Sequence, residues 1–463
     1  MNYSFNPHCS PMGCWAFPLK LPGGVLGAIL LGCLSLHPTL VSAAEKPSAV
    51  GGWLRDYFTS TAAELIAYVD IYTENAEPGL DNDMVSLWSE FSLQNYVNFS
   101  DSISLETELV FTVTGPNQQS GLFTSPGVIN PEPAFAEFRI FMLTWQGANT
   151  EIRVGKDVIE LGLAEIYTPV DRFSSQNYSK PQHFDDRGDI QLSIARFFTS
   201  SELRFTMLPY NEDFIDPPGN SRWLNSQGDR DFFSQIGAKD EDRPNSFPED
   251  WGYLLEYSGV GRGFDYYVAA HHGPGAYPVV QLEGIVIPPK TKKIYPTATS
   301  GMAGVVATRG SWSYYADVLY QKTERHEDDS FASWAVGFSY RETKLASRLG
   351  IIEIKPILTY SGSTVVEDSD PALTLYNSEA ARPHPDSLIG RIELRLTDKT
   401  RFDILGSTNF SDDDSSYGFL LLYNYSDSLL FSAQSLFMNG KDNTQFGRWR
   451  TNDFVSIGFN YRF

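Results

Sequence analysis

The last residues of the chain alternate strictly between apolar and polar side chains, in the run Val455-Ser456-Ile457-Gly458-Phe459-Asn460-Tyr461-Arg462-Phe463. Successive side chains of a β-strand point to opposite faces. The apolar residues of this run therefore share one face, and the polar residues share the other. The run predicts an amphipathic β-strand with an aromatic-rich face.

The same alternation recurs in several earlier segments: residues 103–113, 312–320, 334–340 and 388–396. These segments run for about ten residues, the length that a tilted strand needs to cross the apolar layer of a membrane, whereas strands of soluble sandwiches average five or six. Acidic and basic residues share the polar faces, which suits a solvated interior better than a packed core. The polar residues expected to face inward are Glu106, Glu108, Glu137, Arg139, Asp317, Arg391, Glu393, Arg395, Arg401 and Asp403.

Together these segments predict an all-β fold, a transmembrane antiparallel β-barrel. Strands can cross lipid only when they close into a barrel, because every backbone polar group needs a partner there. We count about sixteen to eighteen strands between residue 62 and the end. Side chains cannot fill the lumen of so large a barrel. Either a segment of the chain fills it or solutes can pass.

The first 44 residues have the features of an export signal. Lys20 is their only charged residue, residues 25–36 are apolar, and the small residues before position 45 suit cleavage. All three cysteines, Cys9, Cys14 and Cys33, lie in this segment, so cleavage near Ala43 leaves no thiol; lipidation at Cys33 is the alternative. We therefore expect a signal peptide over 1–44, a periplasmic lead-in over 45–61 and the barrel over 62–463.

The formal net charge of the chain is −22. Such acidity argues against nucleic acid as a partner, because phosphate binding needs a basic surface. It favours a cation-preferring lumen, provided that enough of the acid faces inward.

The terminal residues Phe459, Tyr461 and Phe463 resemble the last strand of Gram-negative outer-membrane proteins. The resemblance implies location in the bacterial outer membrane, contact with its lipids and lipopolysaccharide, and recognition by the barrel-assembly machinery. Two further runs resemble porin-like and, loosely, alginate-export-type channels, in which a strand with a basic residue and glycine leads into an inward loop: Arg153-Val154-Gly155-Lys156 and Tyr167-Thr168-Pro169-Val170-Asp171-Arg172.

Short polar turns alternate along the chain with long connections, roughly residues 115–133, 156–188, 210–250, 273–292 and 362–385. The second connection, with the strand after it, has the densest cluster of charges. If this loop folds inward, its acids and bases create a transverse field at the narrowest point, as in porin constrictions; the alternative is a salt-bridged surface loop. The candidates are Lys156, Asp157, Glu160, Glu165, Asp171, Arg172, Asp185, Asp186, Arg187 and Arg196.

The sequence favours a channel for passive diffusion of small polar or charged solutes. The first alternative is a barrel that binds a partner or surface polymer through acidic outer loops, and the second is a barrel hydrolase. No local catalytic motif, cofactor site or metal site is recognisable, so we expect no enzyme, no cofactor and no metal. His183 and His326 would be the first residues to examine for catalysis. The sequence is compatible with both a monomer and a homotrimer.

Overall fold

A computed structural model describes residues 61–114, 136–177, 185–209, 221–223, 239–240, 250–275, 277, 279–282, 291–370, 374–376 and 382–463. The signal peptide and the lead-in expected before residue 61 lie outside these ranges. Three cysteines, His183 and the side chain of Asp185 lie outside them as well.

Eighteen long strands form one antiparallel sheet: Ala62–Tyr72 (β1), Val85–Ser100 (β2), Ile103–Thr114 (β3), Ala136–Gln146 (β4), Thr150–Asp157 (β5), Asp189–Phe197 (β6), Ser201–Leu208 (β7), Gly252–Val260 (β8), Phe264–Pro274 (β9), Thr297–Arg309 (β10), Trp312–Thr323 (β11), Ser330–Tyr340 (β12), Glu353–Glu367 (β13), Asp386–Arg395 (β14), Thr400–Asn409 (β15), Asp414–Asn424 (β16), Leu429–Asn439 (β17) and Phe454–Arg462 (β18). Each strand pairs with the next, and β18 pairs with β1, for example Tyr461 with Leu65. The sheet closes into a barrel without a free edge. This confirms the expected fold and strand number.

The connections differ in length at the two ends of the barrel. At the short-turn end, the strands are joined by tight turns such as residues 101–102 and 310–311, with residues 341–352 as the one longer connection. This connection contains the short helix α1, Lys344–Arg348. The opposite end carries the long connections, such as the one between β5 and β6, and we call it the long-loop end. The loop expected from residue 362 begins later, because β13 continues to Glu367 by pairing with β12.

The outward face of the barrel is apolar. Val154, Val268, Val336 and Ile457 are between 43% and 56% exposed, although all four are aliphatic. Residues that alternate with them are buried, as Ser456 is at 0%. An exposed apolar belt around a closed barrel is the surface that a bilayer covers. No helix in the described residues is long and apolar enough to cross a membrane.

The alternation slips in the wall where β3 meets β4. Glu108 pairs with Ile140 and Leu109 pairs with Phe138, so Arg139 is the extra residue of a β-bulge. A bulge places two successive side chains on nearly the same face. Arg139 therefore reaches Glu90 and Glu108 inside the barrel.

Candidate functional site: a loop folded into the lumen

The described part of the connection between β5 and β6, residues 158–177 and 185–188, folds into the barrel. The backbone amides of Leu163 and Ala164 donate hydrogen bonds to the Asp317 carboxylate at 2.9 and 2.8 Å. Asp317 lies on the inward face of β11 and is fully buried. The Tyr267 hydroxyl from β9 donates to the same carboxylate at 2.9 Å. Hydrogen bonds to a charged acceptor are roughly twice as strong as neutral ones, so Asp317 is a strong anchor for the loop.

Glu165 carries the loop across the barrel. Its carboxylate accepts a hydrogen bond from Ser339 of β12 and forms an ion pair with Lys355 of β13. In the closed ring, β13 lies almost opposite β5, the strand from which the loop starts. The loop therefore spans the lumen from one wall to the other.

Apolar contacts hold the loop against one part of the wall. Leu161, Val170 and Phe173 of the loop are buried in one cluster with inward-facing residues of five neighbouring strands: Leu254, Tyr267, Ala269, Met302, Leu319 and Phe331. Burying a large apolar side chain contributes about 1.5–3 kcal/mol. We call this part of the wall, β8 to β12, the covered wall.

The loop begins at a glycine that breaks the strand alternation. Gly155 has a φ of +146°, and a Cβ there would lie 2.0 Å from the carbonyl oxygen of Phe141. Only glycine fits this backbone without displacing β4. Two residues follow at the entrance to the loop: Lys156 bonds to Glu137 at 2.9 Å, and Asp157 forms an ion pair with Arg153.

Glu137 also fastens the other end of the loop. Arg187 donates from Nε to Glu137 at 2.9 Å and from Nη1 to the Ser175 hydroxyl at 3.1 Å. Residues Ser175–Asn177 pair with Asp185–Arg187 as a small ribbon. Because one carboxylate binds cations from both ends, Glu137 closes the loop at its base.

Arg172 is buried where the loop meets the covered wall. Its guanidinium lies 5.3 Å from the ring centroids of both Tyr277 and Phe331. Burial lowers the pKa of Arg172 from its usual value, although an arginine stays protonated at any physiological pH. The contact with two aromatic faces partly offsets the loss of hydration.

Three acids of the loop form no ion pair with a described residue. Glu160 and Asp171 are exposed, and Asp186 is half-buried and accepts a hydrogen bond from Gln176 at 2.8 Å. Loss of hydration of the carboxyl group within the surrounding protein raises the pKa of Asp171 to about 7, although part of its side chain stays accessible. The negative charge of Asp186 adds to this shift. The charge on this loop therefore changes near neutral pH.

A second part of the barrel wall, from β13 through β18 and β1 to β4, carries charged pairs; we call it the paired wall. Arg139 bonds to Glu90 at 3.1 Å and to Glu108 at 3.2 Å. Arg401 bonds to Asp403 at 2.6 Å, and Arg391 pairs with Glu393. Glu106 is exposed on the inward side of β3, and Arg395 pairs with Asp398 at the short-turn end.

Arg196 does not belong to the constriction, contrary to the expectation from sequence. Ser193 and Ala195 are buried on the inward face of β6, whereas Ile194 and Arg196 are exposed on the outward face. Arg196 bonds to Thr150 near the short-turn end. The expectation followed nearness in sequence and ignored the two-residue period of the strand.

A second loop, between β7 and β8, is also anchored inside the barrel. Arg222 donates to the backbone oxygens of Glu74, Asp83 and Thr451 at 2.8–3.1 Å, and its guanidinium lies 3.6 Å from the centroid of Tyr72. Trp223 is buried and donates to the Tyr72 hydroxyl at 3.1 Å. The sequence did not predict this anchor, because no local pattern distinguishes a loop arginine that binds distant carbonyl groups.

Further contacts join the loops at the long-loop end. Short strands from three connections form a four-stranded sheet: Lys239–Asp240, Val279–Leu282, Thr291–Ile294 and Thr374–Tyr376.

The His384 ring packs edge-on against Tyr167 at 4.7 Å, and burial lowers the pKa of His384 to about 4. Within the described residues, no three His, Cys, Asp or Glu side chains are arranged to hold a metal ion.

Comparison with solved structures identifies porin barrels as the similar folds. OccAB3 of Acinetobacter baumannii matches at a TM-score of 0.51 with 11% identity, over 88% of this chain and 99% of that chain. A BenF-like porin from Pseudomonas fluorescens Pf-5 matches at 0.50 with 12% identity, over 88% and 98%. OccAB1 of Acinetobacter baumannii matches at 0.51 with 8% identity, over 87% and 95%.

No protein-family model matches the sequence, and a search of curated proteins finds no match. The likeness to solved structures therefore establishes the fold, a closed porin-type barrel, and extends no further.

Proposed function

We propose that the chain is an outer-membrane channel for passive diffusion of small polar or charged solutes, constricted by residues 158–177. The observation that carries this proposal is the crossing loop, held by Asp317 and Lys355 on walls remote from its origin. A closed barrel of this size is too wide for side chains to fill, so a loop across it narrows a passage.

The charges on the crossing loop and on the paired wall together favour the passage of cations. Around the constriction, Arg139 balances two acids, Glu90 and Glu108. Glu160 and Asp171 are exposed on the loop. Arg172 is buried against aromatic rings, away from any passing solute. Fixed negative charge in a narrow lumen concentrates cations and repels anions.

Planar-bilayer recording of the refolded protein under a salt gradient tests this function. Stepwise currents with a reversal potential of the sign expected for cations would support it. A protein with the heat-modifiable gel mobility of a folded barrel and no current would contradict it. Anion preference would contradict the assignment of selectivity to the lumen acids.

The sheet shared by three loops favours a second candidate function, binding of a partner or surface polymer at the long-loop end. A sheet built from separate loops gives that end a defined surface. Capture of a polymer by a non-conducting barrel would favour this candidate. We propose no enzymatic activity. Trimer formation, contact with lipopolysaccharide and recognition of the terminal aromatic residues by the assembly machinery stay predictions.

A further inference from the structure

The connection 341–352 differs from every other described turn at the short-turn end. It is the longest of them and the only one with a helix, α1. Leu345, Leu349 and Ile352 are 50%, 63% and 39% exposed, respectively. Leu345 and Leu349 are four positions apart, so they lie on the same side of the helical turn.

The basic residues of this connection accompany the exposed leucines. Lys344 and Arg348 are exposed, and neither forms an ion pair with a described residue. Arg341 pairs with Glu353 at 3.1 Å, so it is already neutralised. A short segment with exposed leucines and two unpaired cations has the composition of a helix that lies in a membrane interface.

The connection continues directly into the lipid-facing aromatic residues of the barrel. Trp312 contacts Tyr340 at 4.5 Å between ring centroids on the outward face. The Tyr340 hydroxyl donates to Glu342 at 2.9 Å, and the same carboxylate accepts from the Leu345 amide at 2.8 Å. Aromatic rings of this kind lie at the level of lipid headgroups. The Glu342 carboxylate therefore holds α1 beside the headgroup level.

We infer that α1 docks on the bilayer surface at the short-turn end, with Leu345 and Leu349 among the lipid chains and Lys344 and Arg348 on anionic phospholipid headgroups. This interaction surface is independent of ion conduction; it requires only that the barrel is embedded in a bilayer. Its charge selects anionic over zwitterionic lipid, because each basic residue near an anionic surface changes binding by roughly fivefold.

Amide hydrogen exchange over residues 344–350 tests the inference on the full chain in nanodiscs. One bilayer is phosphatidylcholine alone, and the other contains equal parts of phosphatidylcholine and phosphatidylglycerol. We expect slower exchange in the anionic bilayer. The double variant Lys344→Gln/Arg348→Gln should lower this lipid-dependent protection by up to about 25-fold, from roughly fivefold per basic residue.

The matched control removes two exposed cations elsewhere at the same end, Arg262→Gln and Arg309→Gln. It should keep the protection. A second variant, Leu345→Ser/Leu349→Ser, should lose protection in both bilayers while gel mobility shows that the barrel is folded.

Three results would overturn the inference. Wild-type exchange that is equal in the two bilayers would exclude selection of anionic lipid. An equal loss of protection in the Lys344→Gln/Arg348→Gln variant and in the Arg262→Gln/Arg309→Gln control would assign the effect to the whole short-turn end rather than to α1. Protection that depends on the number of barrels per nanodisc would make a second copy the occupant.

Discussion

The covered wall and the paired wall belong to one sheet with one alternation, yet their inward faces differ in chemistry. On the covered wall, Leu254, Met302 and Leu319 face inward and are at most 3% exposed. On the paired wall, Arg139, Arg391 and Arg401 face inward and each binds an acid. The difference arises because residues 158–177 shield one wall from the lumen. An apolar inward row therefore marks the position of an inserted loop.

The largest expected effect comes from emptying the covered wall. Phe331 is 1% exposed and packs against Arg172. We expect Phe331→Ala to lower the free energy of unfolding by about 3–5 kcal/mol, because such truncations leave a cavity. Urea titration followed by gel mobility measures the loss. The control, Val336→Ala on the outward face of the same strand, should cost much less; equal losses would mean that the loop is not packed there.

The loop entrance gives the next largest effect. We expect Gly155→Ala to destabilise the barrel by roughly 3 kcal/mol, since its φ of +146° and the contact with Phe141 leave no room for a Cβ. The same titration measures it. Gly301→Ala is the control, because no atom lies within 4 Å of a Cβ built there. A tolerated alanine at 155 would show that the loop starts differently.

A substitution at Asp317 tests the hydrogen bonds that anchor the loop rather than its apolar packing. Asp317→Asn weakens two charge-assisted hydrogen bonds from the loop, each contributing roughly 1.5–3 kcal/mol. We expect a looser loop, with higher and noisier single-channel conductance. Asp403→Asn removes a buried inward carboxylate that binds Arg401 on the paired wall. If both variants changed conductance alike, the effect would be a general one of lumen charge.

The paired wall is tested through ion selectivity. Arg139→Gln leaves Glu90 and Glu108 without their cation, so cation preference should rise. Reversal potentials measure the preference. Arg196→Gln, on the outward face, should leave them unchanged. A shift toward anions at position 139 would contradict the proposed field.

The smallest effect is a pH dependence from Asp171. A carboxyl group whose pKa is raised to about 7 is ionised above that pH and neutral below it. Cation preference should therefore fall as pH decreases from 8 to 6, and Asp171→Asn should remove most of this change. Asp398→Asn, at the short-turn end, is the control. A pH dependence that survives in Asp171→Asn would assign the titration to another group.

Alternation predicted the barrel and the inward rows because it is a local property of each strand. In the structure Glu108 and Asp317 are buried on the inward face, and Arg401 binds the buried Asp403 there. Arg139 also faces inward as predicted, although it is the extra residue of a bulge, and a positive φ at Gly155 ends the regular alternation of β5.

The path of the loop could not be predicted, because its partners Asp317 and Lys355 are more than 150 residues away in sequence. One signal was available. Leu254, Met302 and Leu319 occupy inward positions, where solvent would favour polar residues. Neighbouring strands that share apolar residues at inward positions would have indicated which wall the loop covers. Arg222 offered no such signal, because it binds backbone carbonyl groups of distant loops.

The central claim is that residues 158–177 cross the lumen, and cross-linking tests it most directly. Cysteines placed at Glu165 and Lys355, which form an ion pair, should be joined by a short bifunctional maleimide in the folded barrel. Mass spectrometry would identify the linked peptides. The matched pair Glu165→Cys with Arg401→Cys should not be joined. Linkage of the second pair alone, or of neither pair in a barrel with folded gel mobility, would contradict a loop that crosses to β13.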